Sequence, residues 1–391
     1  MTEEAELSAL LDSVPVPPGR ITADAAVQFG RRSVRRRRSL VVGGAAIALT
    51  AVTITVSSWS VARRATPPIT PPSPSPSLSS SPSPSVQPSP VQHWVLKNLP
   101  VPPGIQYLNL GAIDPAGKYI VGLSDPNLVV WTDGVPAVVD LPEEADQVLS
   151  IDVNSSGVIV GEYNYNQYDK STGFVHKAGV TTRLRAPGNS TDFGAFRIDE
   201  AGNILGKNKE GKHFLWPAGD WDHPVELKAP GEWASVSDRR ADGLLVGNIG
   251  DGDHPYVWNP DGTGHPLKEQ AGQPGGKADR ISGAWVGGYV RATNTESNLI
   301  AARWNLTADT LEVFPAVSSV IFTITSNGAM LSPGERWSAP IVITAEGQVV
   351  KLPLELGGRY MAWAMNDAAT MVIGMNQAMG GQPEPVIWVY E

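Results

Sequence analysis

The passage whose residue types come nearest to metal chemistry is Asp251-Gly252-Asp253-His254. Two carboxylates and an imidazole within four residues offer the hard oxygen donors that Ca²⁺ takes. The distal bidentate Glu of a calcium loop is missing, so the pattern reads as a tight Asp-Gly turn. The six histidines, at 93, 176, 213, 223, 254 and 265, show no His-x-x-x-His or comparable ligand spacing. No metal and no cofactor is expected. A second cluster is Tyr163, Asn164, Tyr165, Asn166, Tyr168 and Asp169. Tyrosine supplies a stacking face and Asn an adaptable donor-acceptor pair, a mixture suited to sugar or protein recognition. Asn294, Asn298 and Asn376 lie in comparable polar stretches. No Gly-x-Ser-x-Gly elbow, P-loop or dinucleotide fingerprint occurs, so no catalytic residue is expected. Cys is absent, which excludes a disulfide framework and a thiolate zinc or redox site.

These clusters interrupt a repeat. An apolar residue, Asp or Asn, two spacers, Gly, a short apolar run and a closing Gly recur seven times between Ile113 and Gly374. The clearest copies are Ile113-Asp114-Pro115-Ala116-Gly117 closing on Gly122, Val153-Asn154-Ser155-Ser156-Gly157 closing on Gly161, and Ile198-Asp199-Glu200-Ala201-Gly202 closing on Gly206. Weaker copies close on Gly247, Gly287, Ser332 and Gly374. The spacing is roughly 40–45 residues, which is the period of a four-stranded propeller blade. Asp or Asn followed by Gly makes the turn between the first two strands, and the closing Gly permits close backbone packing near the axis.

A second element follows in each copy: an apolar run ending in Trp at Trp131, Trp216, Trp258, Trp304 and Trp388. Phe174-Val175-His176 and Ile341-Val342-Ile343 stand in that place in copies two and six. A last strand then ends in Leu, as at Leu141-Pro142 and Leu352-Pro353. Copy seven stops at Glu391 without that strand, while Trp94-Val95-Leu96-Lys97-Asn98-Leu99-Pro100 resembles Val349-Val350-Lys351-Leu352-Pro353. The expectation is an all-β, seven-bladed β-propeller of four-stranded blades over residues 92–391. Its N-terminal strand should complete the last blade beside Val386–Val389, hiding the edges. The polar clusters fall between the second and third strands of their blades and should share one face of the ring, where a rigid scaffold presents binding loops.

The Asn/Asp-x-x-Gly-x-Ile-Val-Gly unit followed by a Phe-Leu-Trp run resembles the bacterial extracellular repeats called HAF repeats. The best match is Lys212-His213-Phe214-Leu215-Trp216, which lacks the Ala of the family's triplet. The resemblance covers about residues 94–391. It implies a propeller outside the cell and no catalytic residue.

Ahead of the repeats, residues 39–62 carry no charge over 24 residues. At ~1.5 Å per residue they reach about 36 Å, enough for one transmembrane helix. Six Arg precede this segment between positions 31 and 38, and only Arg63 and Arg64 follow, which favours a cytoplasmic N-terminus. Residues 63–91 form a Pro/Ser-rich linker expected to be disordered and extended. Residues 1–38 read as a short cytoplasmic tail. With its Arg-rich stop it resembles tails of actinobacterial single-pass proteins, some of them anti-sigma-factor-like, although residues 1–65 contain no His or Cys zinc ligand. The net charge of −9 hides +4 in residues 1–65. The remainder is acidic, which argues against nucleic acid as partner.

The functional expectation is a membrane-anchored, extracytoplasmic binding or scaffold module for a cell-envelope protein or glycan, not an enzyme. One alternative is a lyase or hydrolase at the channel mouth, where separate blades bring distant acids together. Convergent acids, His or Arg at that mouth would favour the enzyme, and a plug of small apolar residues would favour binding. A further alternative is a regulator acting through its cytoplasmic tail.

Overall fold

The computed structural model describes residues 93–391 apart from 106, 143, 168, 189, 191, 230, 232–233, 252, 272–274, 293–298, 335–338, 357 and 378–381. The tail (1–38), the membrane span (39–62) and the Pro/Ser linker (63–91) lie outside the described residues. Among the described residues no helix is long and apolar enough to cross a membrane.

Every strand follows from the alternation and turn chemistry of the repeat. The described residues form seven four-stranded antiparallel sheets, and six of them run in sequence order from the innermost strand outward. The innermost strands are β2 (Asn109–Ile113), β6 (Ala145–Val153), β10 (Phe193–Ile198), β14 (Ser235–Arg239), β18 (Gly276–Ser282), β22 (Thr323–Ile324) and β26 (Tyr360–Met365). They open blades one to seven. In blade seven, β26 is followed by β27 (Met371–Asn376) and β28 (Glu384–Tyr390), and β1 (Trp94–Asn98) is the fourth strand. Trp94 pairs with Tyr390, Leu96 with Trp388 and Asn98 with Val386. His93 and Glu391 exchange backbone hydrogen bonds beyond the last pair, and Lys97 meets the Glu391 carboxylate. The closure expected from the sequence is therefore present, and residues 93–391 contain every strand of the ring.

The turn residues behave as their chemistry dictates. The Asp114 carboxylate accepts from the backbone N–H groups of Ala116 and Tyr119, and Asn154 Oδ1 from Ser156 and Val158. Gly117 and Gly157 sit at φ 79° and 72°, where a β-carbon is unfavourable. Blade seven makes the same turn with Asn366 Oδ1 accepting from Thr370 and Met371, but Ala369 occupies the left-handed position at φ 53°.

Seven hydrophobic clusters hold the blades, one at each junction between neighbours. The recurring Trp residues are the largest members of five of these clusters and are 0–2 % exposed. Four of them are also tied by the indole N–H. Trp131 donates to the Pro100 carbonyl, Trp216 to Arg185, Trp304 to Lys268 and Trp388 to Pro353. All four acceptors follow the outermost strand of the preceding blade, so one side chain supplies apolar area and a directional bond to its neighbour. Where blade six has Ile343 instead, buried Arg303 spans the same junction. It donates to the carbonyls of Gly328, Thr344 and Ala345 and pairs with Glu312.

The strained Ala369 gives a direct check. Ala369→Gly should raise the unfolding free energy by about 1 kcal/mol, because the left-handed conformation costs an L-residue about that much. Chemical denaturation of the 93–391 domain reads this as a higher midpoint at unchanged slope.

Candidate functional site

A propeller's innermost strands meet at its axis, and which side chains face that axis depends on strand register. Five of these strands carry a bulge at one common point, between Leu110 and Ala112, Ala195 and Arg197, Val236 and Asp238, Ala278 and Arg280, and Ala362 and Ala364. The closing glycines make room for it. A β-carbon on Gly206, Gly247, Gly288 or Gly374 would overlap the carbonyl oxygen of Gly194, Ser235, Lys277 or Met361 on the innermost strand. In blade five the residue in this position is Gly288, opposite Ala278, and not Gly287, which stands one residue earlier opposite Arg280. The closing position of that copy is corrected accordingly. The two adjacent glycines are indistinguishable in sequence, and only the register separates them.

At the next register position each innermost strand lends one residue to the axial cavity. Ala112, Asp152, Arg197, Asp238, Arg280, Thr323 and Ala364 all pair opposite the residue just before the closing position, and all line one central cavity of about 320 Å³. Four adjacent blades thus contribute Asp, Arg, Asp, Arg in alternation. These charges are held more by backbone than by each other. Asp152 accepts from the Ile198 N–H at 2.9 Å, and Asp238 from Ile281 at 3.0 Å and Arg239 at 2.8 Å. Arg280 donates to the Phe322 and Asp279 carbonyls, both at 2.9 Å, and Arg197 to Phe196 at 2.6 Å. Arg197 Nε stands 4.0 Å from Asp238 Oδ1. Burial raises the Asp152 carboxyl above the usual carboxylate range, although Arg197 and the Ile198 N–H oppose it. Burial and the neighbouring Arg197 bring the Arg280 guanidinium down to about 10. The opposite wall holds Phe322 and Trp363, stacked at 5.7 Å and within 5° of parallel.

The cavity also reaches Pro115, Asp199, Glu200, Arg239, Arg240 and Asp367. All belong to the first-to-second-strand turns or their immediate flanks, so the cavity opens on that face. Polar bonds cross between these turns. Arg239 pairs with Asp199, Arg240 donates to the Gly283 carbonyl, and Asp367 accepts from Ser282 and Ser326.

The sequence-predicted site residues occupy the other face. Strand β7 (Ile159–Tyr165) pairs with β8 (Lys170–Lys177) as far as Tyr165 and Lys170. Tyr163 and Asn164 are therefore strand residues rather than loop residues. Tyr163 is fully buried against Phe174, its hydroxyl 3.3 Å from Glu144, and burial pushes it up to about 12. Tyr165 lies under the Arg183 guanidinium. Asn166 and Asp169 are exposed at the turn. Asp251 is exposed, while the Asp253 carboxylate pairs with Arg291 at 2.7 Å and His254 Nδ1 lies 2.6 Å from Glu269. Asn376 ends β27 opposite Glu384, its Oδ1 buried and without a hydrogen-bond partner among the described residues. Tyr168, Asn294 and Asn298 lie outside the described residues. The structure thus joins Asp253 and His254 to partners of their own and does not gather the three clusters into one pocket.

Asp152, Arg197, Asp238, Arg280, Phe322 and Trp363 were missed by sequence reasoning. Their signal is present in the repeat: Asp152, Arg197 and Asp238 stand two residues ahead of the turn residues Asn154, Asp199 and Arg240. Among the described residues no group of His, Asp and Glu is arranged to hold a metal ion. His176 and His213 are buried packing residues, as their strand positions indicated. Burial brings His213 down to about 4, with the Lys207 charge acting the same way.

Fold and cavity together define a seven-bladed β-propeller with a charged axial pocket. Solved structures of the same fold include a streptogramin B lyase, at TM-score 0.53 and 11% identity over 76% of this chain and 98% of that one. A catalytically inactive His-to-Ala variant of virginiamycin B lyase from Staphylococcus aureus, with quinupristin, gives TM-score 0.52 and 12% identity over 75% and 99%. At such identity the likeness shows the fold alone. No family model and no curated protein matches the sequence.

Two measurements test this description. Gly288→Ala must displace the Lys277 carbonyl and should cost about 3 kcal/mol of stability. His213 has a folded-state value near 4 against about 6.5 in the unfolded chain, so the unfolded chain takes up the proton first. Its contribution is intact above pH ~6.5 and falls by about 3 kcal/mol as pH drops toward 4. The carboxyls of Asp152, Glu162 and Asp279, raised by burial, act in the opposite direction. The expected slope is therefore the difference between wild type and His213→Gln across pH 4–7.

Proposed function

We propose that the propeller is an extracytoplasmic binding module. It is anchored by residues 39–62, carried on the Pro/Ser segment, and engages a cell-envelope protein or glycan at the mouth of its axial cavity. The observation that carries this reading is the cavity itself: four charges fixed by backbone hydrogen bonds around an opening beside two stacked aromatic rings. Such groups are preorganised to hold a polar ligand. They are poorly placed to shuttle protons, because Asp238 already accepts at both oxygens and Arg280 donates through two nitrogens. The uncharged 24-residue run, the Arg asymmetry around it and the resemblance to extracellular HAF repeats support the compartment.

Acids and arginines do converge in the cavity, which is the arrangement expected of the second reading, an extracytoplasmic lyase or hydrolase, and burial keeps Asp152 toward its protonated form, as a general acid requires. Against it, none of the six histidines lines that cavity, whereas a histidine change accompanies inactivity in the solved virginiamycin B lyase variant.

Incubation of the purified 93–391 domain with separated protein and glycan fractions of the envelope distinguishes the two. Saturable binding with the ligand recovered unchanged by mass spectrometry is the expected result. New products that vanish in Asp152→Asn would replace the module with an enzyme, and an absence of binding to every fraction would sink both.

A further inference from the structure

The axial cavity has two unlike walls. Blades two to five contribute Asp152, Arg197, Asp238 and Arg280, and blades six and seven contribute Phe322 and Trp363. Three observations restrict what fits between them. First, the polar wall alternates Asp, Arg, Asp, Arg with no run of like charge, so a ligand carrying donors and acceptors together is served by both kinds of group. Second, hydrogen-bonding capacity is left over. Asp152 accepts one backbone bond through a single oxygen, and among the described residues Arg197 Nε and Trp363 Nε1 are buried without a hydrogen-bond partner. Buried donors of this kind are costly unless an acceptor arrives. Third, the volume of about 320 Å³ stands at the low end of small-molecule sites, which suits one or two sugar rings and excludes a folded partner or an extended peptide.

We propose that this cavity binds a neutral sugar ring, one C–H face laid against the aromatic wall at Trp363 and the hydroxyls on the opposite edge spanning Asp152, Arg197 and Arg280. The negative face of an aromatic ring attracts the polarised C–H groups of a pyranose. A hydroxyl both donates and accepts, so it can donate to the Asp152 carboxylate and accept from an arginine N–H. The blade-to-blade backbone bonds fix both wall charges before any ligand arrives, which keeps the ordering cost low. The inference rests on the binding-module reading and names the ligand class and the subsite within it.

The test uses the 93–391 domain with N-acetylglucosamine and methyl glucoside as probes. N-acetylneuraminate, glucosamine, glycine and uridine serve as anionic, cationic, zwitterionic and nucleoside arms. Saturation-transfer NMR should show saturable binding of at least one neutral sugar, with the strongest transfer to the protons of one ring face. Tryptophan fluorescence should change on binding. That change should vanish in Trp363→Phe, a variant that keeps an aromatic ring and therefore the fold. Trp363→Ala should weaken binding at least tenfold. Preference for any of the charged, zwitterionic or nucleoside probes over both neutral sugars would overturn the inference. Neutral sugar binding that survives Trp363→Ala unchanged would overturn the subsite and leave the binding module standing. Silence from all probes, with envelope fractions still bound, would overturn the ligand class alone.

Discussion

The architecture depends on a carbonyl oxygen occupying the place where a β-carbon would otherwise be. At Gly206, Gly247, Gly288 and Gly374 the second strand of a blade gives way to the bulged innermost strand. The bulge adds one residue to that strand, and because side chains alternate with period two, one residue reverses which of them reach the axis. Without it Phe196, Ser237 and Asp279 would take the axial places now held by Arg197, Asp238 and Arg280. The glycine is thus the local cause of three of the four axial charges, Arg197, Asp238 and Arg280, although it touches no charge itself.

The junctions between blades follow a separate rule. The indole N–H groups of Trp131, Trp216, Trp304 and Trp388 each reach a carbonyl on the connector arriving from the blade before, some 31–36 residues earlier in the chain. A purely apolar junction would tolerate sliding, because burial has no direction. The hydrogen bond from each of these four indoles adds a direction to its junction. Arg303 meets the same need at one of the two junctions that lack a Trp, with several charge-assisted bonds in place of one neutral bond.

Much of this was legible in the chain. Asp, Asn and Gly announce the turns because their local bonding is fixed over four residues, and Trp94–Pro100 announced the closure because it repeats the closing strand of blade six. Legibility ended where one residue of register decides an outcome. Gly287 and Gly288 are alike until paired, and the cavity residues are visible only once the bulge is placed. Tyr163 looked like part of a polar loop because Asn164, Tyr165 and Asn166 follow it in alternation. That same alternation is what a strand with one buried face shows, and the pairing of Asn164 with Ser171 resolves it.

The arrangement at β1 has a mechanical side. Tension applied ahead of His93 would act on a strand whose whole length is paired with β28. Tension along that strand loads its hydrogen bonds together, in shear, rather than one at a time as in unzipping. Force applied at this end and resisted at the axial pocket would run through the four strands of blade seven, and the first pairing on that path is the seam between β1 and β28.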